Sequence, residues 1–243
     1  MKKTLLTICL VWMCFSLSAQ KIIDLSGKWS FSIDRQDNGE KEKWFSHTLN
    51  DCINLPGSMP EKLKGDEVTA KTQWTGSLYD SSYYYNPYME KYRKEGNIKF
   101  PFFLTPDKHY VGAAWYQKEV NIPADWKGER ILLFLERPHI ETTVWVNGQK
   151  TGMQNSLCVP HQYDITRYVR PGKCTITIRV DNRIKEINVG PDSHSITDQT
   201  QGNWNGIVGR ICLQTTPKTY FDDIQIYPEP EQKLARVKVV IKG

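Results

Sequence analysis

The chain of 243 residues has six cysteines but no Cys-x-x-Cys pair and no closely spaced Cys/His set. A structural zinc site therefore has no support in the spacing. It contains no Gly-x-Ser-x-Gly, so the strained turn that exposes a hydrolase serine is missing. It also lacks a phosphate loop and a dinucleotide fingerprint, and no cofactor is expected. Charge of one sign is not in excess: 32 Lys and Arg stand against 27 Asp and Glu, a formal +5. The cations are interleaved with acids, which argues against a nucleic-acid surface. After the N-terminal stretch, no apolar run approaches membrane-spanning length. Internal repeats and low-complexity tracts are absent as well.

The N-terminus reads as an export signal. Lys2 and Lys3 precede an apolar stretch over 5–17 that is too short to span a bilayer as a helix, and Ala19 supplies a small residue before Gln20. Residues 1–19 are read as a secretory signal peptide cleaved near Ala19, although Leu17 is a poor match to the small residue expected two positions earlier. The bulky Val11-Trp12-Met13 before Cys14 argues against lipid modification there. The expected compartment is periplasmic or extracellular, with no membrane association after cleavage. The exported chain keeps Cys52, Cys158, Cys174 and Cys212. Four cysteines allow three pairings, and sequence does not choose among them. Cys174 and Cys212 fall in strand-like runs, where a thiol behaves as a small hydrophobe. A domain this large does not need staples, so free, buried thiols are expected.

What the chain does have is a succession of short β-rich runs. Residues 27–34 alternate with period two, which aims Trp29, Phe31 and Ile33 at a core. Further runs cover 115–120, 130–135, 142–146, 174–181 and 207–213. The near-continuous apolar run at 130–135 implies burial on both faces. Asn147-Gly148 favours a type I′ hairpin turn, because both central positions need positive φ. Runs of this length at roughly ten-residue spacing signal an all-β sandwich or barrel. Residues 35–50 read as a polar connection with a turn at Asp37-Asn38-Gly39.

Residues 59–110 lack a clean period and carry Tyr79, Tyr83, Tyr84, Tyr85, Tyr88, Tyr92, Phe100, Phe102 and Phe103. So long a connection is uncommon in a compact domain. It is either an insertion whose rings pack on the sandwich or a sugar platform, with part of it helical around 87–94. A boundary is expected at 215–218. Beyond it, 221–228 and 235–242 read as two more strands, which cannot bury a core alone.

Several words occur in a fixed order: Gly27-Lys28-Trp29, Leu55-Pro56-Gly57, Trp115-Tyr116, Val144-Trp145-Val146-Asn147-Gly148, Asp164-Ile165-Thr166, Val180-Asp181-Asn182 and Gly202-Asn203-Trp204-Asn205-Gly206-Ile207. Together they resemble the N-terminal sugar-binding domain of glycoside hydrolase family 2, the family of β-galactosidases, β-glucuronidases and β-mannosidases. The resemblance runs from about Leu25 to Tyr227. It implies an all-β fold: a galactose-binding-domain-like jelly-roll sandwich over 20–217, with the insertion at about 59–110. Residues 218–243 would then begin a truncated immunoglobulin-like domain. Family members continue into a (β/α)8 barrel whose two glutamates hydrolyse O-glycosyl bonds. The resemblance places no catalytic residue in this chain, which is expected to be inactive alone.

The resemblance also implies where sugar contacts would lie. In the family, loops of this domain reach toward the barrel's active site. The stretch before the 203–207 signature offers Asp198, Gln199, Thr200, Gln201, Asn203 and Trp204. These are convergent donors and acceptors plus a stacking face, as sugar hydroxyls and ring faces require. His109, just before the 115 strand, is a second candidate. Glu119, Glu136 and Glu141 read as surface or ion-paired groups, and His139 and His161 as structural. The partner implied is a carbohydrate with a β-linked glycan, with a leaning toward β-galactosides. Three readings stay open: the front part of an exported family 2 glycosidase, a free-standing carbohydrate-binding module, or a structural domain that contacts a barrel or other subunits.

Overall fold

A computed structural model describes residues 20–73, 81–99, 104–185 and 202–243. The strands are β1 (Ile22–Asp24), β2 (Gly27–Asp34), β3 (Asp51–Leu55), β4 (Gly57–Ser58), β5 (Asp66–Glu67), β6 (Lys108–His109), β7 (Ala113–Ile122), β8 (Arg130–Pro138), β9 (Glu141–Val146), β10 (Gln149–Asn155), β11 (His161–Asp164), β12 (Gly172–Asp181), β13 (Gly206–Thr216), β14 (Tyr220–Glu229) and β15 (Leu234–Lys242). A six-stranded sheet runs β10-β9-β12-β7-β2-β3 and faces a five-stranded sheet running β1-β13-β8-β11, with β4 beside β13. The pairings are antiparallel. This is the two-layer sandwich expected from the alternating runs.

The period-two pattern sets the core. Trp29 and Phe31 of β2, Tyr116 of β7, Ile176 and Ile178 of β12, Leu133 and Leu135 of β8 and Leu213 of β13 are all buried between the sheets. Each such side chain stabilises the fold by about 1.5–3 kcal/mol. Residues 131–135 of β8 are buried on both faces, as their unbroken apolar run implies. The β9–β10 hairpin turns at Asn147 (φ 50°) and Gly148 (φ 77°), the two positive angles that a type I′ turn requires.

A second apolar cluster lies on the outer face of the six-stranded sheet. Trp115 and Trp145 are buried there with Leu49, and Trp44 and Phe45 pack against them. The segment 35–50 is thus a cover for the sheet, not simply a polar connection. Asp34 anchors it by accepting from the Trp115 indole at 2.9 Å and the Gly39 amide at 2.8 Å. A Cβ on Gly39 would fall 2.5 Å from the Trp115 indole nitrogen, so only glycine fits this approach.

The expectation of free, buried thiols needs correction at two positions. All four described cysteines are free, but only Cys174 and Cys212 are buried. Cys52 and Cys158 are exposed. In β3 the inward positions are Ile53 and Leu55, so Cys52 points outward. Burial pushes the Cys174 thiol up to about 11.

In the insertion, β5 and β6 pair with each other, a short helical turn covers Ser82–Tyr85, and a 3-10 segment covers Pro87–Tyr92. Pro87 starts that segment, and the Asn86 side chain caps it by accepting from the Tyr88 amide. The tyrosines divide: Tyr83 is buried, whereas Tyr85 and Tyr88 are exposed. Tyr79, Phe100, Phe102 and Phe103 lie outside the described residues. β13 ends at Thr216 and β14 opens at Tyr220. β14 and β15 form their own two-stranded sheet.

Candidate sugar-binding end of the sandwich

One end of the sandwich gathers the end of β12, the starts of β7, β9 and β13, and the segment after β6. Buried asparagine amides hold these pieces together. The Asn205 side-chain amide donates to the carbonyls of Gly112 at 3.0 Å and Val180 at 2.9 Å, and its oxygen accepts from the Tyr116 hydroxyl at 2.7 Å. Asn182 accepts from the Gly112 amide at 2.8 Å and donates to the Tyr110 carbonyl at 2.8 Å. Asn203 donates to the Asn182 carbonyl at 3.0 Å. Backbone groups in irregular segments have no ladder partners, and these amides supply them. The first turn of β13 needs glycine too. Gly206 has φ 145°, and a Cβ there would fall 2.5 Å from the Gly57 carbonyl oxygen.

Two candidates separated in sequence therefore share this end. His109 is buried in β6, paired through the backbone with Asp66, and the next residue, Tyr110, is bound by Asn182. Asn203 is buried and bound to the same Asn182, so its side-chain amide braces the end. Trp204 is half-buried. Its ring stacks on His139 with centroids 4.6 Å apart and 23° between planes, and the His139 Nδ1 donates to its carbonyl at 2.9 Å. Asp198, Gln199, Thr200 and Gln201 lie outside the described residues.

Beside these amides sits a charge cluster that the sequence reading did not single out. Asp181 accepts from Arg179 at 3.0 Å, Arg183 at 2.6 Å and Lys185 at 2.9 Å. Glu141 pairs with Lys185 at 2.8 Å and Arg179 at 3.4 Å. Asp37, on the covering segment, pairs with Arg179 and Arg183, each at 2.6 Å. Burial pushes the Asp181 carboxyl up, but hydrogen bonds from Arg183 and Lys185 and the Arg179 charge outweigh it. The group is held well below the usual carboxylate range. The signal was present in the sequence: 179, 181, 183 and 185 are charged at period two, which places them on one face of a strand and its extension. Glu119 pairs with Lys173, and Glu136 accepts from the Arg210 amide, so these acids are surface or paired groups as expected.

Chemically, this end offers a fixed indole ring, a rigid amide scaffold and a charge-balanced brace. Among the described residues, Asp37, Asp181 and Glu141 at this end are each paired with cations.

The model of the glycosyl hydrolases family 2 sugar binding domain matches residues 22–217. The chain belongs to this family. The β-glucuronidase of Homo sapiens is 25% identical over 250 residues, covering 90% of this chain and 33% of the human protein. That of Paenibacillus borealis is 27% identical over 222 residues, covering 85% and 31%. The solved β-glucuronidase of an uncultured Clostridium sp. superposes with TM-score 0.62 at 20% identity, covering 93% of this chain and 34% of that one. The Ruminococcus gnavus β-glucuronidase in complex with uronic isofagomine gives 0.63 at 17%, with 93% and 34% covered. These structures share the fold. The chain spans about a third of the length of the curated relatives it matches.

Proposed function

We propose that this chain is the sugar-binding part of an exported family 2 glycosidase, and that the end carrying Trp204 faces the sugar. The observation that carries this is the convergence of the His109–Tyr110 segment and Asn203–Trp204 on Asn182. Asp198, Gln199, Thr200 and Gln201 belong to the segment leading into that end and would supply hydrogen bonds to hydroxyls. Asn203 and His109 would act by holding the end in shape, and Trp204 as the stacking wall.

The relatives named above are β-glucuronidases, which favours a β-linked glucuronide over the β-galactoside to which the sequence motifs lean. Hydrolysis would need a pair of carboxyls about 5–5.5 Å apart in a closed pocket, supplied by a barrel. Export rests on residues 1–19 and would place the protein in the periplasm or outside the cell. The apolar face of the β14–β15 hairpin, with Phe221, Ile224 and Ile226 exposed, supports a partner sheet of an immunoglobulin-like domain in the whole protein.

The reading frame downstream of codon 243 tests the proposal. A barrel-encoding frame is the expected result, and a natural protein ending at this residue would overturn the glycosidase reading. In a barrel-containing protein, Asp198→Ala should lower kcat/KM for an aryl β-glucuronide about tenfold, since a charged hydrogen bond is worth about 1.5–3 kcal/mol.

A further inference from the structure

The covering segment leaves an open cleft of about 350 Å³ against the outer face of the six-stranded sheet. Phe45 forms one wall. Its ring lies on Trp145 with centroids 5.2 Å apart and 6° between planes, and it remains half-buried. Ser46, His47 and Thr48 continue that wall, while Gln117 and Thr175 rise from the sheet opposite. Among the described residues, no Asp, Glu, Lys or Arg lines the cleft. Lys150, whose ammonium lies over the Trp145 ring, is already paired with Glu40 at 2.8 Å.

The cleft is rigid where it matters. Gln117 donates to the His47 carbonyl at 3.0 Å and lies 3.1 Å from the Thr177 hydroxyl, which ties the cover to the sheet. Asn147 accepts from the Thr175 amide at 2.9 Å and fixes the floor. A flat ring held from behind, beside hydroxyl, imidazole and carboxamide groups, complements a pyranose. The sugar's C–H face covers the ring, and its hydroxyls exchange hydrogen bonds with the rim. The volume lies at the small end of ligand pockets, about 300–1,000 Å³, which suits one or two sugar rings. The lining places no lysine or arginine beside the ring, so an acidic sugar would gain no ion pair there.

We propose that this cleft is a second saccharide site, of low affinity and selective for neutral pyranosides. It lies on the sheet's outer face and uses none of the residues at the Trp204 end. A polymeric glycan held at two points on one domain would gain residence without any change at the first site.

The test is a ¹H–¹⁵N titration of this chain with methyl β-glucopyranoside at tens of millimolar. The amides of Ser46, Thr48 and Thr175 and the side-chain amide of Gln117 should shift. Phe45→Leu keeps an apolar plug over Trp145 but removes the flat ring, and should weaken binding roughly fivefold. Thr175→Val keeps the shape and should also weaken it. Methyl β-glucuronide should shift the same amides less. Absence of shifts at these positions overturns the proposal, as do shifts that survive both substitutions. Shifts confined to Trp204 would support the sugar-facing end while overturning this second site.

Discussion

Asp37 and Arg183, separated by 146 positions in sequence, meet at 2.6 Å. The contact fastens the cover of the outer sheet face to the extension of β12. Through Asp181 it reaches the same strand end whose next residue, Asn182, carries the amide scaffold. The cover, the charge cluster and the candidate sugar-facing end are therefore mechanically one unit.

Removing the central charge of that unit should be costly. The Asp181 side chain is fully buried against Arg179, Arg183 and Lys185. Asp181→Asn leaves partly buried cations short of a partner, and should destabilise the chain by about 3 kcal/mol or more in urea unfolding. Because the folded carboxyl is held below its ordinary 3.8, its contribution is complete above that pH and is lost as pH falls below it. The wild type should thus lose stability in strong acid more steeply than the variant. Equal acid sensitivity in the two would contradict the role given to Asp181.

His161 gives a second pH dependence, in a milder range. It is fully buried, with Nδ1 2.6 Å from the Thr142 hydroxyl and Nε2 3.2 Å from the Ser156 carbonyl. Burial holds its imidazole below the ordinary 6.5. The unfolded chain therefore binds the proton first, so stability is full above about 6.5 and falls as pH drops toward the folded value. His161→Gln should be less stable at neutral pH, yet should flatten the loss between about pH 7 and pH 5. Chemical denaturation across that range checks both effects; an unchanged slope would assign the pH dependence to other groups.

The chain alone should hydrolyse no aryl β-glycoside. Among the described residues, the acids at the candidate end include Asp34, Asp37, Asp181 and Glu141; the last three are paired with cations, and Asp34 is occupied by the Trp115 indole and the Gly39 amide. Asp181 is held ionised and so has no proton to give a leaving group. Release of nitrophenol from a β-glucuronide that persists through repurification, and is absent from a mock preparation, would refute this.

Proteolysis should cut first between β13 and β14. The hairpin exposes Phe221, Ile224, Ile226, Val237, Val239 and Ile241 on one face, and its strands pair only with each other. The Arg130 guanidinium over the Tyr220 ring, 3.8 Å from its centroid, is a small hold by comparison. Limited trypsin treatment should release a fragment cut near Lys218 while the sandwich stays intact. A hairpin as resistant as β12 would point to a covered apolar face, by a second copy or by the sandwich itself.

Legibility in the sequence followed the range of the interactions. Period-two burial at Trp29 and Phe31, with Ile33 packed against the same core, and the positive-φ turn at Asn147-Gly148 are local, and both could be read directly. The cover at 35–50 could not, because its polar composition conceals three residues, Trp44, Phe45 and Leu49, that find Trp115 and Trp145 only after the sheet forms. The outward direction of Cys52 follows from its neighbours Ile53 and Leu55, which its own character does not reveal. The joining of the segment after His109 to Asn203 depends on Asn182, whose side-chain bonds to Gly112 and Tyr110 span 70 and 72 positions. No spacing rule registers such a contact. Asp181 and Asn182 stood out as landmarks in the motif, but their tasks emerged only from their partners.

The indole Nε1–H resonance of Trp204, followed while this chain is titrated with methyl β-glucuronide, tests the sugar-facing end most directly. Trp204 is half-buried and held by its stack on His139, so a ligand on its free face alters the ring environment without unfolding. An open wall loses most hydrogen-bond gain to water, so affinity should be on the order of millimolar. The expected result is a progressive, saturable shift at Trp204 that Asp198→Ala diminishes. An unmoved Trp204 at saturating glucuronide, with shifts elsewhere on the sandwich, would contradict the assignment of this end to the sugar.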